Sequence, residues 1–155
     1  MRKRIKFITS FFYLGHSPFM PGTMGSLGGL LVYFLVKNNE LLYGFSIMFL
    51  FFLGVIFSGE AEKIYRRKDA RMIVIDEACG MLLSLFIVPF NMFIVIIGFF
   101  LFRIFDILKP PPAKELEKLT GSLGVMFDDI VAAIYTNTIL QIIARIIIPA
   151  LSRIH

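Results

Sequence analysis

Five long apolar stretches, separated by short polar or Pro/Gly-marked breaks, constrain this chain more than any other feature of its sequence. They lie at residues 24–36, 41–57, 72–88, 92–108 and 130–148, and a shorter amphipathic stretch at 5–14 precedes them. The breaks fall at 15–23, 37–40, 59–69 and 109–120, with a minor one at 89–91. With 57% hydrophobic and only 17% charged residues, and a mean hydropathy of +0.81, the chain is too apolar for an ordinary soluble domain. In lipid, a backbone that cannot bond to water must satisfy its polar groups within helices or closed barrels. Most of the stretches are shorter than the roughly 20 residues that cross a bilayer easily. The expected fold is therefore all-α: a polytopic membrane helical bundle of about five short spans with an N-terminal amphipathic helix, in a single domain over residues 1–155. No repeat or low-complexity tract is present. The basic start runs into 5–14 and then a Gly/Pro-rich stretch without a small-residue cleavage site, so the first apolar segment is expected to stay.

The formal net charge of +5 is concentrated in short clusters, notably Arg2, Lys3, Arg4 and Lys6, and Arg66, Arg67, Lys68 and Arg71. Beside apolar spans such clusters suit anionic lipid surfaces, and the lipid setting argues against nucleic acid as a partner. Basic residues crowd the N-terminus and the 59–71 and 109–120 loops, whereas the 37–40 turn has one Lys and the 89–91 turn none. The bias places the N-terminus in the cytoplasm and implies five crossings. Arg145 and Arg153 sit poorly with an external C-terminus, so the last helix is read as spanning or as re-entrant and partly interfacial. The single Cys79 excludes an internal disulfide and a multi-cysteine metal site. No feature specifies an oligomeric state.

Four polar clusters interrupt the apolar chain: residues 16–26, Asp76 with Glu77, Arg103 with Asp106 and Lys109, and Asp128 with Asp129. The topology puts all four at cytoplasmic ends of helices, although they played no part in deriving it. A charge at the centre of a membrane helix costs about 2.5–3.5 kcal/mol on insertion scales, so five carboxylates near membrane depth need partners. A metal ion and a phosphate would supply them. Neighbouring acids lie about 100° apart on a helix, so one of each pair can ligate an ion while the other bridges or orients water. Oxygen ligands without His or Cys point to Mg²⁺, with Asp76, Glu77, Asp106, Asp128 and Asp129 as candidate ligands and Asp76, Glu77, Asp128 and Asp129 as candidate catalytic groups. Structural ion pairs or helix caps are the plainer reading of the same acids.

Arg103, Asp106 and Lys109 follow at i, i+3 and i+6 and share a helix face, where the two cations can bind phosphate and Asp106 either joins the metal or holds Arg103. Snorkelling at a span end is the plainer role for Lys109. The run Pro21-Gly22-Thr23-Met24-Gly25-Ser26 opens a helix, and its free N–H groups with the Thr23 and Ser26 hydroxyls suit an anion, or else simply form a turn and cap. His16 is a further candidate substrate contact or general acid, with a structural role as the alternative. Cys79 is read as packing, and the Phe-rich runs as lipid-facing or core.

These clusters come in the order and wording of a known family. Ser17-Pro18 followed by Pro21 to Ser26, Asp76-Glu77 with Gly80-Met81, Phe102-Arg103-Ile104-Phe105-Asp106 with Lys109-Pro110, and Gly124 followed by Asp128-Asp129-Ile130 resemble phosphatidylglycerophosphatase A across residues 16–133. Ser122 and Ala133 depart from it, standing where the family usually has glycine. The resemblance implies an all-helical, Mg²⁺-dependent enzyme of the bacterial inner membrane, multi-pass, with its active site on the cytoplasmic side. Such an enzyme converts phosphatidylglycerophosphate to phosphatidylglycerol and phosphate, within phosphatidylglycerol and cardiolipin synthesis. Metal-activated water and a phospho-aspartyl intermediate are both open as the nucleophilic step.

Three rivals share some of the features. A small transporter or channel also carries intramembrane acids, but they would be spread over depth rather than gathered at one face. A lipid phosphotransferase of the CDP-alcohol type would show a run of spaced aspartates after Asp-Gly, which is missing here. A phosphatase of another phosphomonoester, including a soluble one, shares the motifs, and the hydropathy argues against the soluble form.

Overall fold

The computed structural model describes residues 1–68, 70–147 and 149, and every regular element among them is helical. Helix α1 is Arg2–Thr9, after which a left-handed turn through Phe11, Phe12 and Tyr13 leads into a 3-10 turn, Leu14–His16. Helix α2, Pro21–Val36, starts with a proline in its first turn, where a missing N–H leaves no intrahelical bond unmade. Helices α3, Glu40–Tyr65, and α5, Met92–Leu108, are capped by Asn39 and Asn91, whose side chains accept N–H bonds from Leu42 at 3.0 Å and Phe93 at 2.9 Å. Between them lies α4, Ile75–Ser84. After α5 come the short α6, Ala113–Leu116, and α7, Ser122–Ile142, which continues as a π-helical turn, Ile143–Ile147.

Only α5 coincides with its expected stretch. The amphipathic helix expected at 5–14 ends at Thr9, and α2 starts three residues before 24. The stretch expected at 41–57 continues to Tyr65, well into the anticipated 59–69 break, because Glu60, Glu62 and Lys63 are good helix formers that solvate without unwinding a turn. The helix expected at 72–88 contracts to the ten residues of α4. The last helix begins at Ser122 rather than 130, so Asp128 and Asp129 lie within a helix and are buried, at 6% and 3% exposure, instead of preceding it. Its expected end at Ile148, and Arg153, lie outside the described residues.

Among the described residues two helical stretches, Glu40–Tyr65 and Ser122–Ile146, are long and apolar enough to cross a membrane. At ten residues α4 is about 15 Å long, half of a hydrocarbon core of about 30 Å. It forms the centre of the bundle, with Ile75, Ala78, Met81 and Leu82 buried against α2, α3 and α7, and the Phe102 ring of α5 lying over Gly80. Large apolar side chains cover the outside instead: Leu35, Phe45, Phe93 and Ile107 are 66–77% exposed. Apolar residues outward and carboxylates inward is the reverse of a water-soluble helical domain.

The helices run alternately up and down. At one end the starts of α2, α4 and α7 meet the ends of α3 and α5: Gly22 lies against Glu77 and Arg103, Ser122 Oγ accepts the Gly59 N–H at 2.7 Å, and Lys109 reaches Asp128. At the other end Lys37, Glu40, Phe86 to Phe90 and Arg145 surround one hollow of about 290 Å³.

Candidate active site

The first turn of α4 presents Asp76 and Glu77, and the second turn of α7 presents Asp129. One carboxylate oxygen from each lies within 4.8 Å of the others. Adjacent acids point about 100° apart on a helix, and the two pairs divide accordingly. Asp129 turns toward α4, while Asp128 turns toward the end of α5 and accepts from Lys109 Nζ at 2.8 Å. Lys109 ends α5 in a left-handed conformation and also reaches Glu117 at 2.9 Å. Burial works against its charge, but the hydrogen bonds and charges of Asp128 and Glu117 outweigh burial and raise its pKa above the usual lysine range. It is a fixed cation at any working pH.

Arg103 lies one turn before Asp106, and its Nη1 donates to Asp106 Oδ2 at 2.7 Å and to Ser26 Oγ at 3.4 Å. Ser26 Oγ in turn donates to Gly22 O at 3.1 Å, which ties the α2 start to α5. Gly22 leaves room for this approach: a Cβ there would stand 2.5 Å from Glu77 Oε1 and 2.9 Å from Arg103 Nη2, so the ends of both side chains would have to move. The resulting cleft, about 400 Å³, has Pro21, Gly22, Arg71, Glu77 and Arg103 in its walls.

Polar atoms in this region are incompletely matched. Glu77 Oε2 and Asp129 Oδ2 are buried acceptors without a hydrogen-bond partner, and Thr23 Oγ1 and Arg103 Nε are buried without one nearby. Leaving such groups unpaired costs about 1–3 kcal/mol each, more where charged. A cation among the three clustered carboxylates and an anion against Arg103 and the start of α2 would satisfy both sets. The residues present thus fit a hard divalent ion, all of them offering oxygen.

The structure brings Ser26, Asp76, Glu77, Arg103, Asp106 and Asp129 together around the cleft and its floor, and Thr23, its hydroxyl buried, follows Gly22 of the cleft wall. Asp106 and Asp128 each hold a cation, and Lys109 stands behind Asp128 rather than in the cleft wall. His16 lies elsewhere, edge-on to the Tyr13 ring and 3.5 Å from Tyr65 Oη. Cys79 is buried with its sulfur 3.7 Å from Ile47 O. Arg71 and Glu117 carried no assigned role in the sequence. Arg71 stands five residues before Asp76 at the end of a basic run, the one hint of its place at the cleft; nothing set Glu117 apart from its charged neighbours.

A family model described as phosphatidylglycerophosphatase A matches residues 7–144. The chain belongs to the phosphatidylglycerophosphatase A family. Relatives of that name include proteins of Escherichia coli, 36% identical over 84% of this chain and 78% of the relative, and of Haemophilus influenzae, 35% identical over 74% and 73%. A protein of Bacteroides thetaiotaomicron with the provisional name phosphatidylinositol-3-phosphatase is 36% identical over 86% of this chain and 89% of its own length. No solved structure matches. As a member of the phosphatidylglycerophosphatase A family the chain is an enzyme, a phosphoric monoester hydrolase, and the cleft between α2, α4 and α5 is where its matched motifs converge.

Proposed function

We propose that this chain is a single membrane-embedded phosphatase domain that hydrolyses the terminal phosphomonoester of phosphatidylglycerophosphate to phosphatidylglycerol and phosphate. Its cofactor in this reading is Mg²⁺, and its site faces the cytoplasm at the bacterial inner membrane. The observation that carries the reading is the pairing of buried, unmatched acceptors in one carboxylate cluster, Glu77 Oε2 and Asp129 Oδ2, with the buried, unmatched Nε of Arg103, which shares the cleft wall with Glu77. Asp76, Glu77 and Asp129 would hold the ion, which supplies Lewis acidity toward the phosphoryl group. Arg103, braced by Ser26, and the first turn of α2, with Thr23, bind the phosphate oxygens and stabilise the charge that develops on them. Asp106 holds the Arg103 fork in place, and Lys109 neutralises Asp128 so that its charge does not oppose the substrate.

A terminal monoester offers a dianion to these groups, whereas the internal diester has one charge and is tied on both sides. Phosphatidate carries a monoester too, but closer to the glycerol backbone, out of register with a site at head-group height. With the purified protein, Mg²⁺-dependent phosphate release is expected to be fastest from phosphatidylglycerophosphate, with phosphatidylglycerol as lipid product. Equal turnover of phosphatidate in matched micelles would overturn the depth argument, and no release from any lipid would overturn the function. The name of the Bacteroides relative favours one second reading, a phosphoinositide monoester processed by the same groups. Faster release from phosphatidylinositol 3-phosphate would move the substrate assignment to that lipid.

In this reading α2, α3, α4 with residues 85–91, α5 and α7 make five crossings. Arg66, Arg67, Lys68, Lys114 and Lys118, near the cleft end, support a cytoplasmic site. Single cysteines in a Cys79→Ala background test it: on intact cells an impermeant thiol reagent should label Asn38→Cys and spare Arg67→Cys, and the opposite pattern would invert the topology.

A further inference from the structure

Helix α4 ends inside the protein, with Leu82, Ser84 and Leu85 buried. A helix end leaves its last four carbonyls without intrahelical partners. Here the tightened last turn takes two of them, Leu85 N–H donating to Leu82 O and Phe86 N–H to Leu83 O, both at 3.2 Å, and other helices supply further donors. Asn137 Nδ2 of α7 lies 3.3 Å from Leu83 O, 3.1 Å from Ser84 O and 2.8 Å from Phe86 O, sharing its two hydrogens among them. One turn on, Gln141 Nε2 donates to Phe86 O and Ile87 O, and Arg145 Nη2 donates to Ile87 O at 3.0 Å. Tyr43 Oη of α3 takes Leu82 O at 2.6 Å. Gln141 and Arg145 hold the chain beyond the helix, whereas Asn137 is the α7 side chain that reaches the carbonyls of α4 itself.

Asn137 stands eight residues after Asp129, about 12 Å along the same helix. Over a similar length α4 runs from Asp76 and Glu77, which meet Asp129, to Leu83 and Ser84, which meet Asn137. The two helices thus meet at both ends, once at the carboxylate cluster and once at this amide. Like charges at the first contact push apart when no cation is bound, which leaves the register to the apolar packing between the two helices and to the second contact. A slip of one residue moves a helix about 1.5 Å along its axis, and reacting groups misplaced by about 1 Å can lose a hundredfold in rate.

We propose that Asn137 is a positioning residue that sets the register of α4 against α7 and so the spacing of Asp76 and Glu77 from Asp129. What the carboxylates do rests on the function proposed above; the register does not. Asn137→Leu keeps the approximate volume and removes the donors. Asn137→Ser, which retains one short donor, is the milder variant and decides the matter if the leucine protein does not fold. Each variant is compared with the wild-type protein by amide hydrogen exchange in detergent and by turnover of the best lipid substrate. The expected result is a kcat at least about tenfold lower with lipid KM within about twofold, graded Ser before Leu, and exchange at least about tenfold faster at residues 84–88 and also at 76–79. Faster exchange confined to 84–88 with kcat within about twofold of wild type would show a local cap only and overturn the proposal. If the wild type releases no phosphate from any lipid, the proposed function fails. The exchange at 76–79 then decides the register alone: faster supports it, unchanged overturns it.

Discussion

Asp129→Asn is expected to remove about a thousandfold of turnover, some 4 kcal/mol, from a protein that still folds. The same variant should melt at a higher temperature than the wild type when divalent ions are chelated. Both effects follow from the surroundings of the side chain. Asp129 is 3% exposed and within electrostatic reach of Asp106, Asp76, Glu77 and Asp128. The nearby cations are engaged elsewhere, Arg103 with Asp106 and Lys109 with Asp128. Without a bound ion the three clustered carboxylates repel one another, and the isosteric amide relieves that repulsion while losing a ligand. A divalent ion that binds only the folded protein raises its stability in proportion to the logarithm of its concentration over Kd. Mg²⁺ should therefore raise the melting temperature of the wild type and leave that of the variant nearly unchanged. Equal stabilisation of both proteins, or wild-type turnover in the variant at limiting Mg²⁺, would remove Asp129 from the metal site. Asp128→Asn should cost less, because its carboxylate is held by Lys109 and turned away from the other three.

Part of this was readable along the chain. The bounds of α5 follow from a capping Asn91 before the uncharged run 92–102 and from Lys109-Pro110 after its last turn, both local signals. The 100° between adjacent acids shows that each pair must split its attention, but not which member faces which neighbour. That choice depends on α7 starting at Ser122, and the acids themselves had looked like the polar lead-in to a helix rather than its second turn. Pro89 forbids the helix at its own position and disfavours it at Val88, but no residue in 85–87 marks an end as early as Ser84. Donors more than fifty residues away, Asn137, Gln141 and Arg145, add to the local bonds of the last turn and hold Phe86 O and Ile87 O beyond it, and no periodicity registers such partners. Gly22 was legible as part of a turn and anion-binding run, but the pressure of Glu77 and Arg103 against it belongs to the packing.

Arg103 should show the second large effect, and of a kind that separates substrate binding from charge balance. Its side chain is 16% exposed, bonded to Asp106 and Ser26 through Nη1, with Nε buried and unmatched. A planar fork can hold Asp106 on one side and offer its remaining N–H groups to a phosphoryl dianion on the other; a lysine ammonium has the charge without that geometry. Arg103→Lys is therefore expected to lose about a hundredfold in kcat/KM and Arg103→Ala about a thousandfold. The alanine variant should also be less stable, because Asp106, 14% exposed, loses its cation beside three other acids. Adding Asp106→Asn removes that unpaired charge, so the double variant should recover most of the stability while its turnover stays low. Melting temperature and turnover must then part company in the cycle of single and double variants. If turnover returned together with stability, Arg103 would serve only to neutralise Asp106, and the phosphate would have to be bound by other groups at the cleft.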